Sequence, residues 1–198
     1  EMLGKSMNAT VPKKPIVYYI VNENKRSLIR QWQFAGAAKE LRQLGITVST
    51  PKYPPRKTHS VLGVMDGRIS PNPSFPWTFV PGAVADHLTS FSAVFDKARH
   101  GKLTYWIAKG ATSSSGTVTE PLAIWTKFPH ARFYAHYARG CTVLESYMQS
   151  IACPLQVLLV GDPLVAPFAE PLSVTWQDET TTEDVAVHTV HCEDSEVR

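Results

Sequence analysis

The sequence lacks a strong charge of either sign and a long apolar run. Its 198 residues hold 20 Lys and Arg against 17 Asp and Glu, a formal net charge of +3, and the basic residues are scattered along the chain. So diffuse a pattern argues against nucleic-acid binding, which needs a concentrated basic surface. The longest apolar run, residues 155–160, is far shorter than the roughly 20 residues of a membrane-spanning helix. The sequence therefore predicts no membrane span.

Cysteine is also scarce, and its spacing matches no familiar motif. Cys141, Cys153 and Cys192 form no CxxC pair, which argues against a zinc ribbon or a dithiol redox site. The first two flank a predicted helix that would hold them roughly 15 Å apart, too far for a disulfide, so we interpret them as buried free thiols. His188 and His191 beside Cys192 fall short of the four ligands of a structural zinc. No motif predicts a metal or a cofactor.

The periodicity of the apolar residues predicts alternating strands and helices. Residues 25–44 have the period of an amphipathic helix, with Gly45 as a left-handed stop and strand-like runs over 15–21 and 46–50. The chain thus opens with a βαβ unit, which favours a parallel sheet. Further strands are predicted over 61–65, 79–85 and 131–135 and within 111–118, and further helices over 103–109, 120–128 (with Thr119 as the cap) and 142–151. The very apolar residues 155–160 are predicted to form a central strand.

The character of the chain changes after residue 170. An acidic, Thr-rich turn separates two short strand candidates in the last part of the sequence. We therefore divide the chain into an α/β domain over residues 1–170 and a β-strand extension over residues 171–198. Because two strands alone are marginally stable in water, this extension is interpreted as the start of a sandwich module.

Three segments resemble those of gingipain-like cysteine peptidases and a related group of secreted bacterial proteins: PGAVADHLTSFSA at 81–93, GATSSSGTVTEP at 110–121 and QVLLVGDPLVAP at 156–167. The resemblance implies a caspase-like fold, which is a three-layer α/β/α sandwich with a mostly parallel sheet. It also implies that the strand before residues 161–163 closes this sheet. It also implies an immunoglobulin-like module after the sheet, and a secreted or periplasmic protein.

The resemblance further implies a His at the end of one parallel strand and a nucleophilic Cys at the end of the next. Here Asp66 and Gly67 stand where His-Gly is expected, and no Cys lies between residues 80 and 110. The segments implied to shape the pocket and close the sheet are better matched, and we take from them Gly110, Ala111, Ser115, Gly116, Thr117, Glu120 and Asp162. Asp162 is interpreted as a loop cap or a cation ligand. The leading hypothesis is a non-catalytic or catalytically altered domain that acts in binding or as an accessory subunit of a larger extracellular assembly.

An active peptidase or esterase is the alternative. Asp86, His87 and Ser90 lie within five residues and could supply a carboxylate, a base and a hydroxyl. Neighbours on a strand point to opposite faces, however, and triad members usually come from separate elements, so a strand end capped by polar contacts is the competing interpretation. Cys141, at a predicted helix start, is a weaker candidate nucleophile.

Four of the five tryptophans divide into two groups by sequence context. Trp32, Trp106 and Trp125 fall within helical patterns and are predicted to be core residues. Trp77 lies in a Pro-rich loop over residues 70–81 and is predicted to contact a protein partner or a neighbouring subunit through an exposed aromatic surface.

Overall fold

A computed structural model describes residues 9–10, 13–170, 173–178 and 188–193, the last two segments as backbone only. The strands are β1 (Ile16–Tyr19), β2 (Thr47–Ser49), β3 (Val61–Gly67), β4 (Phe79–Leu88), β5 (Ser113–Thr117), β6 (Val157–Gly161), β7 (Ser173–Asp178) and β8 (His188–Glu193). The α-helices are α1 (Lys25–Gln31), α2 (Phe34–Gln43), α3 (Thr104–Ala108), α4 (Phe133–Ala138) and α5 (Val143–Ser150). The predicted α/β class is confirmed.

Six strands form one mostly parallel sheet in the order β2-β1-β3-β4-β5-β6. Neighbours from β2 to β5 are parallel, and β6 runs antiparallel to β5. The expectation that residues 155–160 form a central strand is wrong, because β6 lies at the end of the sheet. Its Val157 and Leu159 pack against the core, so its apolar composition reflects burial on one face and not a central position.

Helices cover both faces of the sheet, which is consistent with an α/β sandwich. Alternate residues of β1 point to opposite faces: Val17 and Tyr19 pack with residues of α2, α4 and α5, whereas Tyr18 packs with Trp77 and with Trp106 of α3. Close contact also requires a glycine on β3, since a Cβ at Gly63 would overlap the ring of a buried tyrosine of α4.

The single helix predicted over residues 25–44 is two helices, α1 and α2, separated at Trp32 and Gln33. The predicted apolar face is also wrong in α1, where Leu28 and Trp32 are exposed and Arg30 is buried. The physical reason is a tertiary ion pair: Arg30 faces the sheet because Asp86 lies beneath it, and a buried charge needs a partner.

The helix predicted over residues 120–128 is a loop with one 3₁₀ turn, Trp125–Lys127. Leu122 has a φ of 60°, which a helix does not accommodate, and the Thr119 hydroxyl accepts a hydrogen bond from Gln156 at 2.5 Å instead of capping a helix. The strand predicted over 131–135 lies largely in α4, whose aromatic residues are buried in the core.

Beyond the main sheet, β7 and β8 pair antiparallel. The division at residue 170 and the immunoglobulin-like module stay predictions. In the described part of the chain, no helix is long and apolar enough to cross a membrane.

Candidate functional site

Polar side chains collect at the carboxyl ends of two adjacent parallel strands, β3 and β4. Asp66 on β3 is opposite His87 on β4, Asp86 precedes it, and Ser90 follows the end of β4. Ligands of parallel α/β proteins bind at this edge of the sheet. The predicted candidates are therefore near one another along the backbone, but their side chains make separate contacts.

Asp86 belongs to a buried ion pair. Its Oδ2 lies 2.5 Å from Nη1 of Arg30, and its Oδ1 accepts a hydrogen bond from the Ser115 hydroxyl at 3.1 Å. Nη2 of Arg30 donates to the Asp66 carbonyl at 2.8 Å, so the guanidinium joins the ends of β3 and β4. Both oxygens of Asp86 are occupied within the fold, which indicates a structural role.

Asp66, at the position where the resemblance implies a His, is also buried. Its carboxylate lies 2.5 Å from the Arg68 guanidinium and accepts a hydrogen bond from the Gly67 N–H at 2.7 Å. Burial raises the pKa of Asp66, and the charge of Arg68 opposes that rise. A Cβ at Gly67 would overlap the backbone of Ser27. Helix α1 therefore packs directly on the end of β3 and seals it.

His87 is buried and engaged on both ring nitrogens. Nε2 lies 3.2 Å from the Gly101 carbonyl oxygen, which only accepts, so Nε2 carries the proton. Nδ1 then accepts a hydrogen bond from the Trp106 indole N–H at 2.9 Å. Burial lowers the pKa of His87 to about 4, although the nearby Asp86 opposes this. A neutral imidazole with no open nitrogen is not placed to act as a general base.

Ser90 points elsewhere. Its hydroxyl donates to Oε1 of Glu120 at 2.8 Å, and the Leu122 N–H donates to the same oxygen at 3.0 Å. The pKa of Glu120 is lowered on balance: burial raises it, and these hydrogen bonds lower it. Both bonds go to Oε1, so Oε2 has no hydrogen bond to any residue in the described part of the chain. The structure does not bring His87 and Ser90 together as a catalytic pair.

Ser90 and Glu120 line an open cavity of about 370 Å³, which we call the Ser90 cavity. It lies between the first turn of α1, the end of β4 and the loop after β5. Its lining residues are Lys25, Arg26, Leu88, Thr89, Ser90, Glu120, Pro121, Leu122, Ala123 and Phe128. Two cations, one carboxylate and two hydroxyls stand among apolar walls. This arrangement suits a ligand that presents both hydrogen-bond donors and acceptors beside apolar groups.

Two of the predicted pocket residues, Thr117 and Gly116, support the segment that carries Ser90, and a third, Ser115, contacts the buried ion pair. The Thr117 hydroxyl donates to the Thr89 carbonyl at 3.2 Å and accepts from the Phe91 N–H at 3.1 Å, and so positions the segment that carries Ser90. Ser115 bonds to Asp86, as described above. A Cβ at Gly116 would overlap the Ser92 hydroxyl, so this glycine lets the same segment pack against β5.

The remaining predicted pocket residues have structural positions. Gly110 follows α3 with a φ of 106°, a conformation that favours glycine, and Ala111 is buried in the core. Oδ1 of Asp162 accepts a hydrogen bond from the Leu164 N–H at 2.9 Å. This contact agrees with the interpretation of Asp162 as a loop cap. Of the predicted pocket residues, Glu120 alone lines the Ser90 cavity.

Arg30, Lys25 and Arg26 were not predicted as site residues, because the charged residues of an amphipathic helix ordinarily face solvent. A signal was present for Arg30. Asp66 and Asp86 follow apolar segments that were predicted to be strands, and a carboxylate that is buried at such a position requires a cation.

The prediction of Trp77 as an exposed partner contact is wrong. Its side chain is 7% exposed and stacks on Phe79 at a ring-centroid distance of 6.0 Å. The aromatic residues of the Pro-rich loop cover one face of the sheet, which is why they are apolar. Trp106 is a core residue as predicted, but Trp32 is 60% exposed and Trp125 38% exposed.

The cysteines and acidic residues suggest no metal centre in the described ranges, where no group of three or more His, Cys, Asp or Glu residues could hold a metal ion. Cys141 and Cys153 are free and half-buried, not fully buried as expected; Cys192 is described only as backbone in β8, and His188 and His191 likewise. Comparison with known proteins adds no relationship: no family model, no curated protein and no solved structure matches this chain.

Proposed function

We propose that this protein is a non-catalytic binding domain with a caspase-like, gingipain-like fold, and that its Ser90 cavity holds a peptide segment of a protein partner. The observation that carries the proposal is the separation of His87 from Ser90. The imidazole is bonded to Trp106 and Gly101, whereas the hydroxyl is bonded to Glu120. A serine needs a positioned base to become a nucleophile.

The sheet supports the proposed relationship to peptidases. The resemblance implies that catalytic residues follow two consecutive strands, and β3 and β4 are adjacent and parallel. It also implies that the strand before the Gly-Asp-Pro segment at 161–163 closes the sheet, and β6 lies at its end. We also propose, as that resemblance implies, that the protein is secreted or periplasmic and is an accessory subunit of a larger assembly.

Glu120 does not replace the missing base in this proposal. Burial raises the pKa of Glu120, but the hydrogen bonds from Ser90 and Leu122, together with the charges of His100 and Arg26, lower it on balance, so the carboxylate is ionised near neutral pH and is a weak proton acceptor. General-base catalysis is most efficient when the pKa of the base lies near the working pH. The Ser90–Glu120 pair therefore acts as a hydrogen-bonding surface.

The composition of the Ser90 cavity supports a peptide as the ligand. A peptide backbone offers N–H donors, which Oε2 of Glu120 can accept, and carbonyl acceptors, which Lys25 and Arg26 can bind. Leu88 and Phe128 provide apolar wall for a side chain. The cavity volume lies at the lower end of the range of roughly 300 to 1,000 Å³ for ligand pockets.

The proposal is tested by separating binding from catalysis on the same protein. A serine-directed fluorophosphonate probe is expected to leave Ser90 unlabelled, and a mixed peptide library is expected to stay intact. The same library, immobilised as an array, is expected to retain the wild-type protein. Glu120→Gln should weaken this retention at least about tenfold, whereas the surface control Asp96→Asn should not.

Two results would overturn the proposal. The first is labelling of Ser90 in the wild type that is lost in His87→Gln. It would favour the hydrolase hypothesis, because it would show that the imidazole reaches the hydroxyl in solution. Equal retention of the wild type and of Glu120→Gln on every peptide would show that the Ser90 cavity is not the binding site.

A further inference from the structure

Two tryptophans that were predicted to be core residues lie together at the surface. Trp32 directly follows α1 and is 60% exposed, and Trp125 begins the 3₁₀ turn and is 38% exposed. Their ring centroids are 5.4 Å apart, and the His130 ring makes T-shaped contacts with both indoles. A cluster of large aromatic rings that stays in contact with water is typical of a site that a ligand or a partner covers.

Trp125 and His130 line a cavity of about 440 Å³, which we call the Trp125 cavity. The helices α4 and α5 complete it, with His136 from the first and Met148 and Gln149 from the end of the second. The Trp125 cavity shares no lining residue with the Ser90 cavity. Its volume lies within the range of roughly 300 to 1,000 Å³ for ligand pockets.

Several polar atoms of the Trp125 cavity have no hydrogen bond to any residue in the described part of the chain. Nδ1 of His130 accepts from the Arg132 N–H at 3.1 Å, so in the neutral ring Nε2 carries the proton and is free to donate. The indole N–H of Trp125 is a second free donor. Gln149 donates through Nε2 within α5, and its Oε1 is a free acceptor. The two ring nitrogens of His136 add one donor and one acceptor.

These open groups are uncharged near neutral pH. Burial lowers the pKa of His130 and of His136, so both imidazoles are neutral at pH 7. Arg132 also lines the cavity, but its Nε and Nη2 donate to the Glu40 carboxylate at 2.8 and 2.9 Å. Among the described residues, no carboxylate lines the cavity. Neutral donors and acceptors suit the hydroxyl groups of a ligand, each of which both donates and accepts.

The angles between the aromatic rings favour a sugar over a nucleobase. Single-stranded nucleic acids bind by stacking their bases on aromatic faces beside a positively charged groove. Here the planes of Trp32, Trp125 and His130 stand at 75° to 83° to one another. No two of them form a parallel slot for a flat base, and the arginine is bonded to Glu40. A pyranose needs only one aromatic face for its C–H groups, with hydrogen-bonding groups around its rim.

We propose that the Trp125 cavity binds a neutral sugar unit of an oligosaccharide. The C–H face of the sugar stacks on Trp125, which Trp32 holds in place by its edge-to-face contact, and its hydroxyl groups bond to His130, His136 and Gln149. Because the two cavities share no residue, this inference is independent of the proposed function of the Ser90 cavity.

Calorimetric titration of the full chain tests the proposal with a panel of neutral oligosaccharides built from glucose, mannose, xylose or N-acetylglucosamine. At least one of these sugars is expected to bind and to change the tryptophan fluorescence. Trp125→Ala should weaken that binding at least about tenfold. Tyr53→Ala removes another exposed aromatic ring, which is 63% exposed and lies outside the Trp125 cavity, and it should leave the affinity unchanged. Matching thermal unfolding shows that both variants fold.

A second variant separates hydrogen bonding from apolar contact. His136→Phe keeps an aromatic ring but removes both ring nitrogens, and should weaken sugar binding by about fivefold. Three results would overturn the proposal: no binding by any sugar of the panel, equal affinity of the wild type and of Trp125→Ala, or tighter binding of adenosine or uridine monophosphate than of every sugar.

Discussion

Two groups of polar side chains lie near the carboxyl end of β4, and they differ in the partners to which they bond. Arg30, Asp66, Asp86 and His87 form what we call the buried polar group, in which every charge and ring nitrogen has a partner inside the fold. Ser90, by contrast, bonds to Glu120 beside an open cavity. Polar residues at a strand end can therefore serve the scaffold, and a bond to an exposed partner beside a cavity, as Ser90 makes to Glu120, distinguishes the residues available to a ligand.

The ion pair of the buried polar group should produce the largest effect. Arg30→Met leaves Asp86 charged, buried and unpaired, and should lower the free energy of unfolding by about 3 to 5 kcal/mol, measured by urea denaturation. Lys52→Met, which breaks an exposed ion pair with Glu23, should change it far less, because solvent screens exposed pairs. Adding Asp86→Leu to Arg30→Met should recover part of the loss, and no recovery would contradict the assignment of the cost to an unpaired charge.

The next largest effect should come from acidification. The pKa of His87 is about 4 in the folded protein and 6.5 in its ordinary state. Between these two pH values the unfolded chain therefore binds more protons than the folded protein. The contribution of His87 to the free energy of unfolding is fully present above pH 6.5 and is lost as the pH falls toward 4. The loss should approach about 3 kcal/mol.

His87→Gln isolates this contribution, because glutamine keeps a donor and an acceptor but does not titrate. Chemical denaturation at pH 7 and at pH 5 should show a smaller pH-dependent loss for the variant than for the wild type. Burial also lowers the pKa of His130 and His136, but both proteins share those residues. If the wild type and the variant lost the same free energy of unfolding between pH 7 and pH 5, the pKa of His87 would not be lowered in the folded protein.

A smaller effect is expected where α1 covers the end of β3. Gly67→Ala introduces a Cβ against the backbone of Ser27, and the resulting shift should cost about 1 to 3 kcal/mol. Gly36→Ala on α2 has nothing within 4 Å of the new Cβ and should stabilise the protein by about 0.5 to 1 kcal/mol. Thermal unfolding compares the two, and the same sign for both would refute direct packing of α1 on β3.

The smallest stability change should come from the Ser90 cavity. Ser90→Ala removes one hydrogen bond, from a side chain that is 6% exposed to the exposed Glu120, and should cost about 1 kcal/mol, less than the loss of the buried ion pair. Calorimetric unfolding measures this cost, and peptide retention on the array should fall with the same substitution. A loss comparable to that of Arg30→Met would show that Ser90 belongs to the buried polar group.

Most strands and some helices were predictable because they depend on local patterns. The strands near residues 15–21, 61–65 and 79–85 are compact apolar runs, and Gly45 adopts the predicted left-handed conformation. Helix α5 begins at the predicted Thr142, whose hydroxyl accepts from the Glu145 N–H while Glu145 bonds back to the Thr142 N–H. Such capping depends only on residues three apart.

The candidate site was predicted only in part. Ser90 and Glu120 were both named from the sequence, but their hydrogen bond joins residues that are 30 positions apart. His87 was named as a base although Trp106, a residue from another element, occupies its Nδ1. The helix predicted over residues 120–128 is wrong because the positive φ of Leu122 has no local signal in a leucine.

The sequence by itself determined the α/β class, the order of most elements and the absence of a cysteine between residues 80 and 110, because these follow from residue type and short-range periodicity. Tertiary structure alone decided that Arg30 is buried, that β6 is an edge strand and that Ser90 bonds to Glu120. Each of these depends on contacts between distant segments, whose pairing is set by packing the whole chain and not by any window of it.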